Sequence, residues 1–284
     1  MKWILLVILV TVVFVGSATG SKKATFNTTE KTFNVLVVMP SQVFLRLDGG
    51  SMVRVGSYLD ETMVPIMTLM KSGYPFTFTF TTPQGNKPSV DPMSNSSFYF
   101  SSPQEYQEAL ELWDSLPSLQ APVMIGQIAS ESPTDPIDQV NTRLLSTFDA
   151  LFIPGGHAPI IDLWSSTAAA RILNWFQSNN LVIGSICHGP MVLASTSLLP
   201  NGFLFRGYNL TVFSTAEENV IQAKWGASMG FYPQDVLSSL GAFPLETAAY
   251  APNVVVDRNL VTGQNPQSAA LLGSIFLQTI LQFQ

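Results

Sequence analysis

LVIGSICHGP, residues 181–190, is the stretch that decides how this chain folds. Leu181 to Ile186 is a short, mainly apolar run rich in β-branched residues, as expected of a strand buried on both faces. It stops on Cys187-His188, and Gly189-Pro190 then reads as a helix start. A strand that ends on a cysteine and turns at once into a helix is a nucleophile elbow, with Cys in the place of Ser. A thiol there meets the free N–H groups of the helix start, which favour thiolate. Neighbouring residues on a strand point to opposite faces, so Cys187 and His188 cooperate only across a sharp turn.

Working outward, Phe148-Asp-Ala-Leu-Phe-Ile-Pro-Gly-Gly-His157 is a second apolar strand running into glycines. Phe33 to Met39 (FNVLVVM) reads as a buried strand and Phe76 to Thr81 (FTFTFT) as an alternating one. Helical period marks Gly56 to Met70, with Pro65 inside it as a bend, and Thr167 to Gln177. A further helix is expected over Ser102 to Leu116 and a short strand around Leu210 to Phe213. Glu217-Glu218 reads as another helix start. Val254 to Asp257 and Leu260 to Thr262 read as a hairpin, followed by a final helix from about Asn265. The rest of residues 95–147 is polar and Pro-rich, and its reading leaves open whether it covers a pocket or builds an interface. Strands alternating with helices, without repeat or linker, predict one α/β domain over residues 33–284: a mostly parallel sheet with helices on both faces. Ligands bind such sheets beyond the carboxyl ends of the strands, where both the Gly155-Gly156-His157 and Cys187-His188-Gly189 segments fall.

Residues 1–20 read as a secretory signal peptide: Lys2, an apolar run from Trp3 to Val15, then small residues with Ala18 and Gly20 placed for cleavage. That run is too short to span a bilayer. A secreted protein is therefore expected, with sequons at Asn27, Asn95 and Asn209 open to glycosylation. The full chain has 13 basic and 19 acidic residues, a balance that disfavours nucleic acid and anionic membrane as partners. Apolar residues make up 46% of the chain, ample for a sizeable core. A single cysteine allows no internal disulfide, and a free thiol outside the cell calls for a chemical reason.

The sequence contains two histidines and one cysteine, all at the two strand ends just described. Alone, Cys187 would read as buried apolar filler, and Glu217-Glu218 as a solvated helix start. No ligand pair has zinc-site spacing, so no metal is expected.

These segments resemble the DJ-1/PfpI superfamily. Ile186 to Pro190 (ICHGP) is similar to its elbow and Phe152 to His157 (FIPGGH) to its oxyanion loop. Four further segments resemble the branch of the glyoxalase III enzymes and related heat-shock chaperones: Tyr58 to Pro65, Val90 to Ser94, Phe213 to Glu218 and Leu260 to Pro266. All six stand in the family's order over residues 33–281. The resemblance implies a flavodoxin-like sandwich, with Cys187 as nucleophile and Glu61 as the carboxyl group beside the thiol. It implies His188 as base and Glu218, rather than its neighbour Glu217, as the acid orienting it. Gly155, Gly156, His157 and Gly189 fall to the oxyanion and substrate loops, and His157 lines the pocket. Ala158 stands where many relatives have glycine. Family relatives are commonly dimers, which leaves a homodimer open.

The chemistry of these side chains agrees with that set. A thiolate adds to an aldehyde, giving a hemithioacetal, and a nearby carboxyl group shuttles a proton between adjacent carbons. Water then releases a 2-hydroxy acid, with no metal, glutathione or nucleotide needed. The resemblance implies conversion of methylglyoxal to lactate. The alternative is a redox-sensing thiol or a holdase-type chaperone, and less so a peptidase or amidotransferase-like hydrolase. A sensor needs only an activated thiol, so the full set of Glu61, His188 and Glu218 favours the enzyme.

Overall fold

The structure, a computed structural model, describes residues 31–283. The expected signal peptide and Asn27 lie outside the described residues. In chain order the strands of the main sheet are β1 (Phe33–Val38), β2 (Phe76–Thr82), β3 (Val123–Met124), β4 (Ala150–Ile153), β5 (Val182–Ile186), β6 (Val254–Asp257) and β7 (Leu260–Gly263). They lie in the order β6-β7-β5-β4-β1-β2-β3, every neighbouring pair parallel except the β6–β7 hairpin.

Alternation along each strand divides the core. Leu36 and Val38 of β1, Leu151 and Ile153 of β4 and Ile183 of β5 face one apolar layer, with Ile172 and Phe176 of the helix Thr167–Ser178 and Met191 to Ala194 of the segment after β5. Val35, Val37, Ala150, Phe152, Val182 and Ile186 face the other, against Met63 and Ile66 of the helix Leu59–Met70 and Leu272 and Phe276 of the helix Ala269–Gln282. The period of two along strands with both faces covered is why these runs are almost wholly apolar.

Several boundaries differ from expectation. The first helix starts at Leu59, not Gly56, because Gly56 and Ser57 pair with the Ser89–Asp91 segment: Gly56 N donates to Asp91 Oδ2 at 2.9 Å and Ser57 N to Ser89 O at 2.9 Å. The segment after Cys187, Gly189–Leu198, is a 3₁₀ helix rather than an α-helix. Of the expected 210–213 strand only Leu210 is strand, in the two-residue strand Asn209–Leu210, and the final α-helix begins at Ala269 after a short turn over Pro266–Ser268. An antiparallel hairpin, Phe44–Arg46 with Met52–Arg54, and a helix over Pro233–Leu240 had no counterpart in the sequence reading. The helix Pro103–Ser115 falls where expected. The rest of the polar region is tied down by Arg171, buried, which donates to the carbonyls of Ser130, Ser132, Asp135 and Pro136.

Candidate active site

The sharp turn at the end of β5 is real and costly. Cys187 has φ 59°, left-handed backbone that a side chain disfavours by about 1–2 kcal/mol. Two hydrogen bonds hold it there: Cys187 N donates to Gly263 O at 2.8 Å, and Phe213 N donates to Cys187 O at 2.9 Å. The turn brings adjacent side chains together, with Cys187 Sγ 3.1 Å from His188 Nδ1.

His188 Nε2 lies 2.7 Å from Glu218 Oε2, and His157 Nε2 lies 3.2 Å from Glu218 Oε1. All three side chains are buried. An ionised carboxylate only accepts hydrogen bonds, so both imidazoles carry their proton on Nε2. That tautomer leaves the Nδ1 lone pair of His188 facing the sulfur. The two imidazole rings pack at 3.9 Å between centroids, so His157 does more than line the pocket: it shares the acid that orients His188.

Glu218 is carried by the helix Thr215–Trp225, which opens with a capping box: Ser214 Oγ accepts from Glu217 N at 3.3 Å and Glu217 Oε2 accepts from Ser214 N at 2.9 Å. Glu217 also accepts from Gln264 Nε2, Asn265 Nδ2 and Tyr250 N. Two adjacent glutamates thus divide into a structural hub and an acid facing the histidines.

Glu61 lies in the first turn of the helix Leu59–Met70, fully buried. The start of that helix is fixed by Ser94, whose Oγ accepts from Leu59 N at 3.0 Å, which gives the Val90–Ser94 segment its role. Glu61 and Cys187 converge over Gly155: a Cβ there would strike both Glu61 Oε2 and Cys187 Cβ. Gly156, at φ 89°, directs its N–H toward the Cys187 sulfur and the Glu61 carboxyl group. Neither Glu61 oxygen has a partner at full hydrogen-bond geometry, so its contact with the sulfur is close but loose. Gly155, Gly156 and Gly189 sit behind the reactive groups and do not line the cavity; a Cβ on Gly189 would meet Ile153 O and Ser185 Oγ. Ala158 has ordinary helical φ and ψ of −64° and −35°, so the loop does not require glycine there.

Electrostatics set the protonation states. Burial, reinforced by the neighbouring Asp60, pushes the Glu61 carboxyl well above its usual range, so it holds a proton. Burial pushes the Cys187 thiol up as well, contrary to the thiolate expected from a helix start. A charged Glu61 would raise the thiol further, but a protonated one removes that repulsion and offers the sulfur a hydrogen bond instead. Burial and His157 lower His188 to about 4, so it is neutral and able to accept a proton. Burial would raise Glu218, but the two imidazoles outweigh it and hold the carboxyl below its usual range. The resting site therefore pairs a thiol with a neutral base.

His157, His188 and Glu218 are the group among the described residues that could hold a metal ion, with ligand atoms within 4.8 Å of one another. In this arrangement each Glu218 oxygen already faces one imidazole nitrogen.

The sulfur opens onto a cavity of about 360 Å³ whose walls include Tyr58, Tyr99, His157, Phe213 and Tyr250. Of these walls the sequence reading singled out His157; Tyr58 and Phe213 entered only as end residues of quoted segments, and Tyr99 and Tyr250 not at all. Tyr58 stands one helical turn before Glu61, a spacing that could have marked it.

The DJ-1/PfpI family model matches residues 124–279. The protein/nucleic acid deglycase HchA of Pseudomonas aeruginosa (strain UCBPP-PA14) is 27% identical over 254 residues, covering 87% of this chain and 81% of the relative. The protein of the same name from Escherichia coli O157:H7 is 24% identical over 257 residues, with 87% and 81% covered. Among solved structures, glyoxalase III from Candida albicans superposes with a TM-score of 0.67 at 19% identity, over 88% of this chain and 98% of that one. The 24 kDa rapid encystment protein of Francisella tularensis gives 0.68 at 24% identity, over 87% and 99%. At such identities the likeness to solved structures is one of fold. The family match spans more than half of the sequence and includes the elbow cysteine, and the chain belongs to the DJ-1/PfpI family.

Proposed function

We propose that the protein is a glutathione-independent glyoxalase that converts methylglyoxal and similar 2-oxoaldehydes to 2-hydroxy acids through Cys187. The observation that carries this reading is the convergence on one sulfur of a neutral imidazole at 3.1 Å and a buried, protonated carboxyl group. The deglycase name of the sequence relatives and the glyoxalase III name of a fold neighbour support the same class of small reactive carbonyl.

His188 Nδ1 takes the thiol proton as Sγ bonds the aldehyde carbon, and that proton passes to the carbonyl oxygen, giving a hemithioacetal. The backbone N–H of His188, which lines the cavity, would stabilise the oxygen as charge develops on it, while the Gly156 N–H stays on the sulfur and Glu61. Glu61 gives the proton it holds to the adjacent carbonyl oxygen while its carboxylate accepts the hydrogen of the former aldehyde carbon. Glu61 returns that hydrogen to the adjacent carbon and its carboxylate takes the proton of the first hydroxyl, which turns the hemithioacetal into a 2-hydroxy thioester and leaves Glu61 protonated again. Water attacks the thioester carbon, the C–S bond breaks, and the thiol and a 2-hydroxy acid leave. No atom is gained beyond water and no net oxidation occurs. Glu218 acts throughout by holding the imidazole tautomer.

Purified protein supplied with methylglyoxal and a chelator, without glutathione, is expected to form lactate, and Cys187→Ala to form none. Undiminished turnover in Cys187→Ala would remove the nucleophile from the scheme.

A further inference from the structure

The cavity is larger than a three-carbon substrate needs. Methylglyoxal fills about three water volumes, on the order of 100 Å³, against about 360 Å³ available. The surplus is lined mainly by carbon. Phe98 is 78% exposed at the rim, and its ring lies 5.3 Å from that of Tyr99, which packs 5.5 Å from Tyr58. The Phe213 and Tyr250 rings lie 6.3 Å apart. Tyr250 is held in left-handed backbone, φ 61°, and Glu217 Oε1 accepts its N–H at 2.7 Å. A strained residue locked by a buried carboxylate is a preorganised wall. An apolar wall left in contact with a small polar substrate forgoes burial that a broader apolar one would gain.

One wall residue carries a full charge. Lys224 stands on the helix that presents Glu218, lines the same cavity, and forms no ion pair among the described residues. In a chain of net charge −6, a cation without an acidic partner at the mouth of the site is available to an anion from solution.

We propose that the site selects 2-oxoaldehydes with an aromatic or comparably broad apolar body ending in an anionic group, the body held among Phe98, Tyr99, Phe213 and Tyr250 and the anion by Lys224. This rests on the glyoxalase reading and names its substrate class. The bonds made and broken stay at the two carbonyl carbons, so the steps above are unchanged and the products are aryl 2-hydroxy acids.

The test compares kcat/KM for methylglyoxal, phenylglyoxal and 4-carboxyphenylglyoxal in wild type, Lys224→Met and Phe98→Ala, at low and high salt. Phenylglyoxal is expected to exceed methylglyoxal by about 10-fold or more, as apolar pockets discriminate. The carboxylated compound should gain a further 3- to 5-fold at low salt, roughly the scale of an exposed charge pair. That ratio should collapse to about one in Lys224→Met and shrink in high salt. Phe98→Ala should lose several-fold of the phenyl preference. Both substitutions are at exposed positions that leave the core intact. A wild type that prefers methylglyoxal overturns the aromatic body, and a carboxylate ratio insensitive to Lys224 and salt overturns the anionic end. Absence of turnover with all three compounds would instead bring down the glyoxalase reading and this inference together.

Discussion

At the scale of single residues, the site turns on where one proton sits. Glu61 and Cys187 are both buried, and burial raises both, so at rest each keeps its proton and it is the Glu61 proton that turnover must move. Glu61→Gln keeps a hydrogen-bond donor of similar shape but can neither give up nor recover a proton. Alkylation of Cys187 by a small reagent should stay within a few-fold of wild type while lactate formation falls by about 10²- to 10⁴-fold, the range of general acid–base catalysis. Retained turnover would favour the redox-sensor or chaperone reading, in which only an activated thiol matters. Cys187 and His188 were legible in the sequence because rare residue types fell at strand ends. The thiolate expectation counted the free N–H groups of the helix start and not the deep burial of the sulfur, which pushes the thiol up. Glu217 and Glu218 were separable in sequence only by resemblance. Their different duties come from partners thirty or more residues away, Gln264, Asn265 and Tyr250 for one and His157 and His188 for the other.

At the scale of elements, strands buried on both faces were the easiest to read, since the continuous apolar runs at β1, β4 and β5 are too short for buried helices and end in turn residues. The hairpin Phe44–Arg46/Met52–Arg54 escaped because four of its six residues are exposed, leaving only Leu45 buried as an inward signal. The stretch around residues 130–136 stayed unreadable because what orders it is a long-range contact, the Arg171 guanidinium, absent from local pattern. The short helix Pro159–Asp162 ends on a carboxyl group whose pH response can be worked out. Asp162 Oδ2 accepts from Ser41 N and Gln42 N, while its other oxygen is buried without a partner. Burial, outweighing those N–H groups, raises Asp162 from 3.8 to about 6. The folded state therefore binds this proton more tightly than the unfolded state. Its contribution to stability is full below about pH 4 and is lost as pH rises through 6, on the order of 2–3 kcal/mol. Asp162→Asn keeps an acceptor for both N–H groups without the charge. Thermal melts from pH 4 to 7 should show the variant gaining on wild type as pH rises, and parallel melting curves would contradict the assignment.

At the scale of the whole molecule, the described residues form one α/β body whose sheet order and parallel pairing follow the alternation of elements in the sequence. Export is a proposal that rests on residues 1–20 and the sequons. Asn95 and Asn209 are exposed, although Tyr106 donates to the Asn95 side chain and Asn209 Nδ2 donates to Asp257. Material recovered outside expressing cells should lack residues 1–20 and carry glycan on at least one of Asn27, Asn95 and Asn209. An intact mass equal to the unmodified full chain would exclude both. The only thiol in the molecule lies at the heart of its cavity, 2% exposed. Counting thiols is therefore the same as counting intact sites, and a disulfide reagent too bulky for the cavity reacts only when the native body opens. Its labelling rate, followed against denaturant, would make Cys187 a built-in gauge of how often and how far the protein breathes.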